Sequence, residues 1–223
     1  VELCENDPGG SFAVNAVGAR NVAEVCAAVG ARLVHISTDY VFGGGRRTPY
    51  VECDLPKPVN VYGASKLAGE HLVLALNAAT VVIRSSGLYG RSPCRAKGES
   101  FVDLMLRLGR ERDEVRVVTD ETLTPTCTPH PSRQVVALLE SEAPGGVYHA
   151  TAQGACTWYE FAAEIFRLSG ATARLAEAAP GEFPSKVPRP SYSVLENSRL
   201  AGLGLDRMPP WIDGLRRFLD ART

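Results

Sequence analysis

The sequence predicts an α/β protein built on a parallel sheet. Two short apolar runs, Leu33-Val34-His35-Ile36-Ser37 and Thr80-Val81-Val82-Ile83-Arg84, are each entered from a segment of helical period. That order is expected of parallel strands buried on both faces. Strand-like and helix-like segments then alternate through the first half of the chain. A composition of 45% hydrophobic and 22% charged residues over 223 positions suits one large domain, or a domain with a small appended lobe, that needs no staples.

The elements follow in order. From Ser11, residues Phe12, Val14, Val17, Val22, Val25 and Val29 recur every three or four positions and Gly30 ends the run, which predicts a helix. The Leu33–Ser37 strand leads into Gly43-Gly44-Gly45 and a proline-rich stretch from Pro49 to Pro58, read as a long loop. A second helix is predicted over Val61 to Leu76, followed by the Thr80–Arg84 strand. A further helix is expected from Ser100 to near Gly109, then strands at Val115-Arg116-Val117-Val118 and Gly146-Val147-Tyr148-His149-Ala150. Thr157-Trp158-Tyr159-Glu160 has the form of a capping box opening the helix Phe161 to Leu168. Proline density rises from Pro180 to Pro190, and an amphipathic helix spans Trp211 to Leu219. The more irregular second half is expected to form a smaller lobe over the sheet.

Composition excludes several classes of function. Lys plus Arg is 24 and Asp plus Glu is 25, so the net charge of −1 and the lack of a basic run argue against nucleic acid as a partner. No apolar stretch reaches the ~18 residues of a membrane span. The six cysteines (4, 26, 53, 94, 127 and 156) contain no CxxC and form no Cys/His cluster, so reduced thiols in a cytoplasmic protein are expected and no metal site is assigned. The chain opens Val1-Glu2-Leu3-Cys4, without the pattern of a signal peptide. His35 and His149 fall in strands and read as packed, His71 as solvated, and Trp158 and Trp211 as core anchors.

Chemistry enters with Tyr62-Gly63-Ala64-Ser65-Lys66. Tyr and Lys four apart on a helix share one face. An ammonium near a phenol favours the phenolate and lowers the phenol pKa from its usual ~10. That suits a general acid for carbonyl reduction by hydride. The spacing alone is common; its context is more informative. Thr38 lies at the carboxyl end of a predicted parallel strand, where ligand sites of open α/β sheets gather. A hydroxyl there can bond the carbonyl oxygen that the Tyr protonates.

With these residues, the chain resembles the extended short-chain dehydrogenases/reductases of the dTDP-4-dehydrorhamnose reductase family. The resemblance runs through His35-Ile36-Ser37-Thr38-Asp39-Tyr40-Val41-Phe42, Pro49-Tyr50-Val51-Glu52-Cys53-Asp54, and Val61-Tyr62-Gly63-Ala64-Ser65-Lys66-Leu67-Ala68-Gly69-Glu70. It continues through Leu88-Tyr89-Gly90, Pro125-Thr126, Trp158-Tyr159-Glu160-Phe161-Ala162 and Arg189-Pro190-Ser191-Tyr192-Ser193-Val194-Leu195. It implies a Rossmann-like doubly wound sheet, with residues 1–125 belonging to the NAD(P)-binding domain and 126–223 mainly to an interleaved substrate-binding lobe. It implies Thr38, Tyr62 and Lys66 as the catalytic set, and Ser37, Tyr62, Lys66 and Arg84 as contacts to NADPH or NADH. Thr38, Asp39, Tyr40, Tyr89 and Arg189 would contact a dTDP-deoxyketosugar. A guanidinium at Arg189 suits a diphosphate, and equally a solvated arginine in a proline-rich loop; Asp39 also reads as a turn cap. Some relatives dimerise with Mg²⁺, so a homodimer is an open expectation, with no Mg²⁺ ligands assigned here.

Departures from the family pattern sharpen the reading. Dehydratases of the superfamily read Thr-Asp-Glu at this strand end; Tyr40 replaces that Glu, which favours simple ketone reduction. Gly43 stands where Asp is usual, and Cys127-Thr128-Pro129-His130-Pro131-Ser132 replaces a differently composed segment, leaving the sugar open. The family's glycine-rich pyrophosphate turn has no counterpart, since Gly43-Gly44-Gly45 follows the catalytic strand and opens no helix. The resemblance thus implies a fragment, with roughly 60 preceding residues carrying three strands and that turn. Cofactor binding by these residues alone would be weak or absent, and the Leu33–Ser37 strand would present an apolar edge. The rival reading is a reductase-like binding or regulatory subunit, as the beta subunit of methionine adenosyltransferase is by resemblance.

Overall fold

The computed structural model describes residues 1–92, 98–179 and 181–222. Helix α1 (Glu2–Asn6) leads through α2 (Pro8–Phe12) and a π-helical segment (Ala13–Gly18) into α3 (Ala19–Ala28), so the valine period does mark helix. Strand β1 (Val34–Thr38) ends in a 3₁₀ turn (Asp39–Val41). After the long loop comes α4 (Val61–Leu76), with the predicted limits, capped by the Asn60 side chain on the N–H of Gly63 at 2.8 Å. Strand β2 (Val81–Ser85) and the short β3 (Leu88–Tyr89) follow.

The remaining chain carries α5 (Phe101–Glu111), β4 (Glu114–Val117), β5 (Thr122–Leu123), β6 (Thr126–Cys127) and α6 (Pro129–Leu139). It ends with β7 (Gly146–His149), β8 (Cys156–Thr157), α7 (Trp158–Ser169), β9 (Arg174–Glu177), α8 (Ser198–Gly202) and α9 (Trp211–Asp220). The capping box forms as expected: Thr157 Oγ1 accepts the Glu160 N–H, and Glu160 accepts the Thr157 N–H at 2.7 Å.

The central sheet is parallel in the order β1-β2-β7, with Val34 opposite Val81 and Thr38 opposite Ser85. Side-chain alternation sends the two faces of β2 to different helices. Val82 packs with Val73 of α4 and Ala23 of α3, while Val81 and Ile83 pack with Leu138 of α6 and Tyr148 of β7. Helices therefore cover both faces, as a doubly wound sheet requires. Among the described residues β1 pairs only with β2, and Ile36 stays half-exposed on that edge. The helical stretch before β1 turns Ala16 and Ala23 inward, whereas Val14, Val17, Val22, Val25 and Val29 are exposed.

The second lobe has its own core. Met105 of α5, Val115 and Val117 of β4, Phe161 and Ile165 of α7, and Leu215 and Phe218 of α9 pack together, and β4 pairs in parallel with β9. The chain crosses between lobes more than once: α5 and β4 leave the sheet for the lobe, and β7 returns to the sheet.

Candidate active site

Two elements bring the predicted residues together. The C-terminal end of β1 delivers Thr38, and the first turns of α4 deliver Tyr62 and Lys66. Glycine permits the approach: a Cβ on Gly63 would stand 2.1 Å from the Tyr40 carbonyl oxygen, so α4 rests directly on the strand-end turn. The Thr38 hydroxyl is hydrogen-bonded to Tyr62, and its oxygen accepts the N–H of Tyr40 at 3.2 Å. The rings of Tyr40 and Tyr62 meet edge to face with centroids 5.9 Å apart. Lys66 Nζ donates to the Ile36 carbonyl at 2.5 Å.

The electrostatics differ from the sequence expectation. Burial raises the Tyr62 phenol above its ordinary pKa; the Thr38 hydrogen bond opposes that shift, and the nearby Asp39 carboxylate adds to it. Burial in turn lowers the Lys66 ammonium, partly offset by Glu70. Desolvation thus outweighs the lowering expected at Tyr62 from Lys66, whose ammonium is held by a backbone carbonyl. Tyr62 is a protonated phenol at neutral pH, the form a general acid needs. Asp39 does more than cap a turn. It is buried, it accepts from Thr38 Oγ1 at 3.1 Å and Ser86 Oγ at 2.8 Å, and Ser193 also bonds it.

Other expected site residues are placed differently. Ser37 and Arg84 are register partners on adjacent strands, and both reach Glu70 of α4. Arg84 holds Glu70 in a buried ion pair at 2.6 Å and lies over the Phe42 ring, so its charge is spent between α4 and β2. Neither Ser37 nor Arg84 lines the cavities described below. The Tyr89 ring packs between Phe161 and Phe218, its hydroxyl is buried without a partner, and burial raises its pKa far above the ordinary value. Tyr89 therefore anchors the second lobe; it also lines the first of the cavities around the site, while its hydroxyl is turned into the core. Arg189 pairs with Glu2 at 2.5 Å. His149 is fully buried and His71 is exposed. Trp211 is a core residue, and Trp158 packs against that core while donating to Glu121 at 3.0 Å. Cys4, Cys26, Cys53, Cys127 and Cys156 are free thiols, and Cys94 lies outside the described residues.

Three adjoining cavities lie beside the set, and Tyr62 lines the first of them. The first, of about 440 Å³, is lined by Asp39, Tyr40, Tyr62, Leu88, Glu121, Trp158 and Ser193 among others. Leu88 and Thr128 also border a mainly apolar groove of about 330 Å³ with Ile36, Ile83, Ser85, Pro131 and Val135. Phe101, Glu121 and Trp158 connect the first cavity to a third, of about 320 Å³, which Arg189 closes. A cavity that carries a protonated phenol and a few polar groups on a largely apolar wall, meeting an apolar groove across Leu88 and Thr128, can receive a carbonyl compound on one side and a flat nicotinamide on the other. The groove and the Lys66–Ile36 contact fit the reactive end of such a cofactor. Among the described residues no cluster of His, Cys, Asp or Glu could hold a metal ion, and no helix is long and apolar enough to cross a membrane.

Ser86, Ser193 and Glu70 were not singled out in the sequence. Ser86 follows a strand end, a usable signal; Ser193 lies in the Arg189–Leu195 segment that carries the resemblance, though its position in that loop does not by itself point to Asp39.

The fold is that of a Rossmann-like oxidoreductase, and the hydroxyl cluster lies at the strand end where ligand sites of such sheets gather. Residues 1–223 match the family described as RmlD substrate binding domain. The chain is 37% identical over 223 residues to the spore coat polysaccharide biosynthesis protein SpsK of Bacillus subtilis, covering all of this chain and 76% of that protein. It is 41% identical over 217 residues to a dTDP-4-dehydrorhamnose reductase of Streptomyces griseus, covering 95% of this chain and 70% of the relative. The crystal structure of dTDP-4-dehydrorhamnose reductase from Bacillus anthracis in complex with NADP superposes with a TM-score of 0.93 at 39% identity, over 99% of this chain and 76% of that one. The chain belongs to the RmlD substrate-binding-domain family.

Proposed function

We infer that this chain carries the catalytic and sugar-binding part of an NADPH-dependent dTDP-4-dehydrorhamnose reductase, which reduces the C4 ketone of dTDP-4-dehydro-L-rhamnose to dTDP-L-rhamnose. The observation that carries the reading is the Thr38–Tyr62 hydroxyl pair at the strand end, with Tyr62 in the wall of a cavity that adjoins an apolar groove. The substrate and cofactor are those named for the relatives in Streptomyces griseus and Bacillus anthracis. A bound reduced nicotinamide would supply hydride to C4.

The chain's own residues do the rest. Tyr62 delivers its proton to the C4 oxygen, and Thr38 orients that hydroxyl. Lys66, fixed at the Ile36 carbonyl, places a cation beside the groove where the nicotinamide ribose would lie. Tyr40 walls the cavity in place of a carboxylate base, which suits reduction over elimination. The third cavity suits the nucleotide: Phe101 and Trp158 present aromatic faces to a base, and Arg189 a guanidinium to a diphosphate.

The test is turnover by the protein at its native length, with NADPH and the ketosugar nucleotide, compared with Tyr62→Phe. Loss of one general acid is expected to lower kcat by about 10²–10⁴-fold while thermal melting stays unchanged. A Tyr62→Phe protein as active as the original would overturn the assignment. Tight binding of the sugar nucleotide without any turnover would favour a binding subunit.

A further inference from the structure

We propose that Asp39, held by Ser86 and Ser193, is a positioning residue that sets the direction of the Thr38–Tyr62 hydrogen bond, parking the Thr38 proton before reaction and releasing it toward Tyr62 afterwards. The proposal rests on the reductase reading above.

The donors and acceptors can be counted. Thr38 has one hydroxyl proton, and it is given to Asp39 Oδ1 at 3.1 Å. The Thr38 oxygen then accepts from the Tyr40 N–H and has one lone pair left for the Tyr62 hydroxyl. Before reaction Tyr62 is thus the donor of the pair, and its oxygen is fixed at the cavity wall. Once its proton has passed to the ketone oxygen, the phenolate needs a donor, and the nearest is Thr38. Turning the Thr38 O–H from Asp39 to Tyr62 breaks no covalent bond. It does cost Asp39 one of its three hydroxyl donors. Ser86, at 2.8 Å, and Ser193 remain on the carboxylate, so a buried anion without a cation is not left bare. Two serines from separate segments, both aimed at one buried carboxylate beside the reacting hydroxyls, are otherwise unexplained.

The ionisable groups around Tyr62 are Asp39 and Tyr40 from the strand-end turn, Cys4 from α1, and Lys66 one turn along α4. Arg189 and Glu121 act on Tyr40. Of the two negative charges that bear on the phenol, Asp39 acts more strongly than Cys4, and both raise its pKa.

Asp39→Asn keeps the shape and removes the charge. The expected result is a kcat lowered on the order of tenfold or more, KM for the sugar nucleotide within about threefold, and a basic limb of the kcat–pH profile moved to lower pH. Titration of the Tyr62 phenolate by absorbance, isolated by difference against Tyr62→Phe, should move the same way and needs no turnover. An unmoved Tyr62 titration, or a loss expressed in KM alone, overturns the proposal even where the parent enzyme is active. A parent protein without turnover overturns the reductase reading instead, and the absorbance titration still decides Asp39. Should Asp39→Asn fail to fold, Ser86→Ala and Ser193→Ala keep the carboxylate; each should lower kcat several-fold at constant KM, and unchanged kcat in both overturns the proposal.

Discussion

Lys66 shows how a single side chain serves two neighbours. Its ammonium is tied to the Ile36 carbonyl at 2.5 Å, and Ile36 in turn borders the apolar groove. Burial lowers its pKa, and Glu70 one turn further along α4 partly restores it. Lys66→Met keeps the buried stem and removes the charge. Turnover is expected to fall about 10²-fold, with KM for the cofactor raised and unfolding by urea nearly unchanged; an unaltered cofactor KM would separate Lys66 from the groove. Lys66→Arg should not rescue it, because a planar fork cannot replace a compact ammonium at one carbonyl. The Tyr62–Lys66 pair was legible because helical spacing fixes which side chains share a face, and Thr38 because ligand sites follow parallel strand ends. The acidity of Tyr62 was not legible. Spacing reports neighbours, whereas desolvation depends on what the fold closes around the phenol. Arg84 was misplaced for a related reason: its strand position was right, but only the register beside Ser37 and the approach of Glu70 reveal which face it takes.

Helix α4 must be held rigidly if Tyr62 and Lys66 are to keep their places, and its fixings are identifiable. Gly63 and Gly69 let it touch backbone, since a Cβ on Gly69 would lie 2.3 Å from the Asn15 carbonyl oxygen. Glu70 pairs with Arg84 below the sheet end with both side chains almost fully buried, at 2% and 4% exposure. One guanidinium nitrogen, Arg84 Nη1, already has no partner. Glu70→Ala would strand a buried cation, and about 3–5 kcal/mol of stability should be lost in urea unfolding. Glu70→Leu combined with Arg84→Met should recover much of that loss, because an apolar pair leaves no charge uncompensated. A cost below about 1 kcal/mol for Glu70→Ala would mean that water reaches the guanidinium. At this scale the sequence was informative where an element has a period and a cap, as α4, α5 and α7 do. It was silent for β3, β5, β6 and β8, each two residues long, too short to show alternation. Helix α6 carries Pro129 and Pro131, residues that mask a helical pattern. Both fall in its first turn, where the missing N–H groups would have had no helical partner.

The alternation of strands and helices was enough to give the parallel sheet of the whole molecule, but not the long-range pairings that build the second lobe, such as β4 with β9. Those pairings depend on which surfaces meet, and no local pattern encodes that. The same closure takes ring nitrogens of His149, His130 and the half-buried His35 out of water, which leads to a prediction for the stability of the entire fold. His149 is fully buried; its Nδ1 faces the Glu196 carbonyl at 3.0 Å, so Nδ1 carries the proton and Nε2 is bare and unpartnered. Protonating Nε2 would place a second charge near Arg84 in a desolvated site, and burial with that repulsion lowers the His149 pKa to about 3. Burial and Lys66 lower His35 to about 4. Unfolded histidine titrates near 6.5. Between pH 6.5 and 4.5 the unfolded chain therefore takes up protons at both positions that the folded chain refuses, and stability must fall as pH falls. Each histidine contributes a slope approaching about 1.4 kcal/mol per pH unit. Asp54, Asp103 and Glu164, whose pKa values are lowered by arginines and hydrogen bonds, add to the loss below that window. Asp39, raised by burial, works in the opposite direction. Urea unfolding across this range should show the steep decline, and His149→Gln should remove a distinct share of its slope, with His35 and His130, the latter also lowered by burial, keeping the rest; an unchanged slope in that variant would mean that His149 is already solvated in the folded protein.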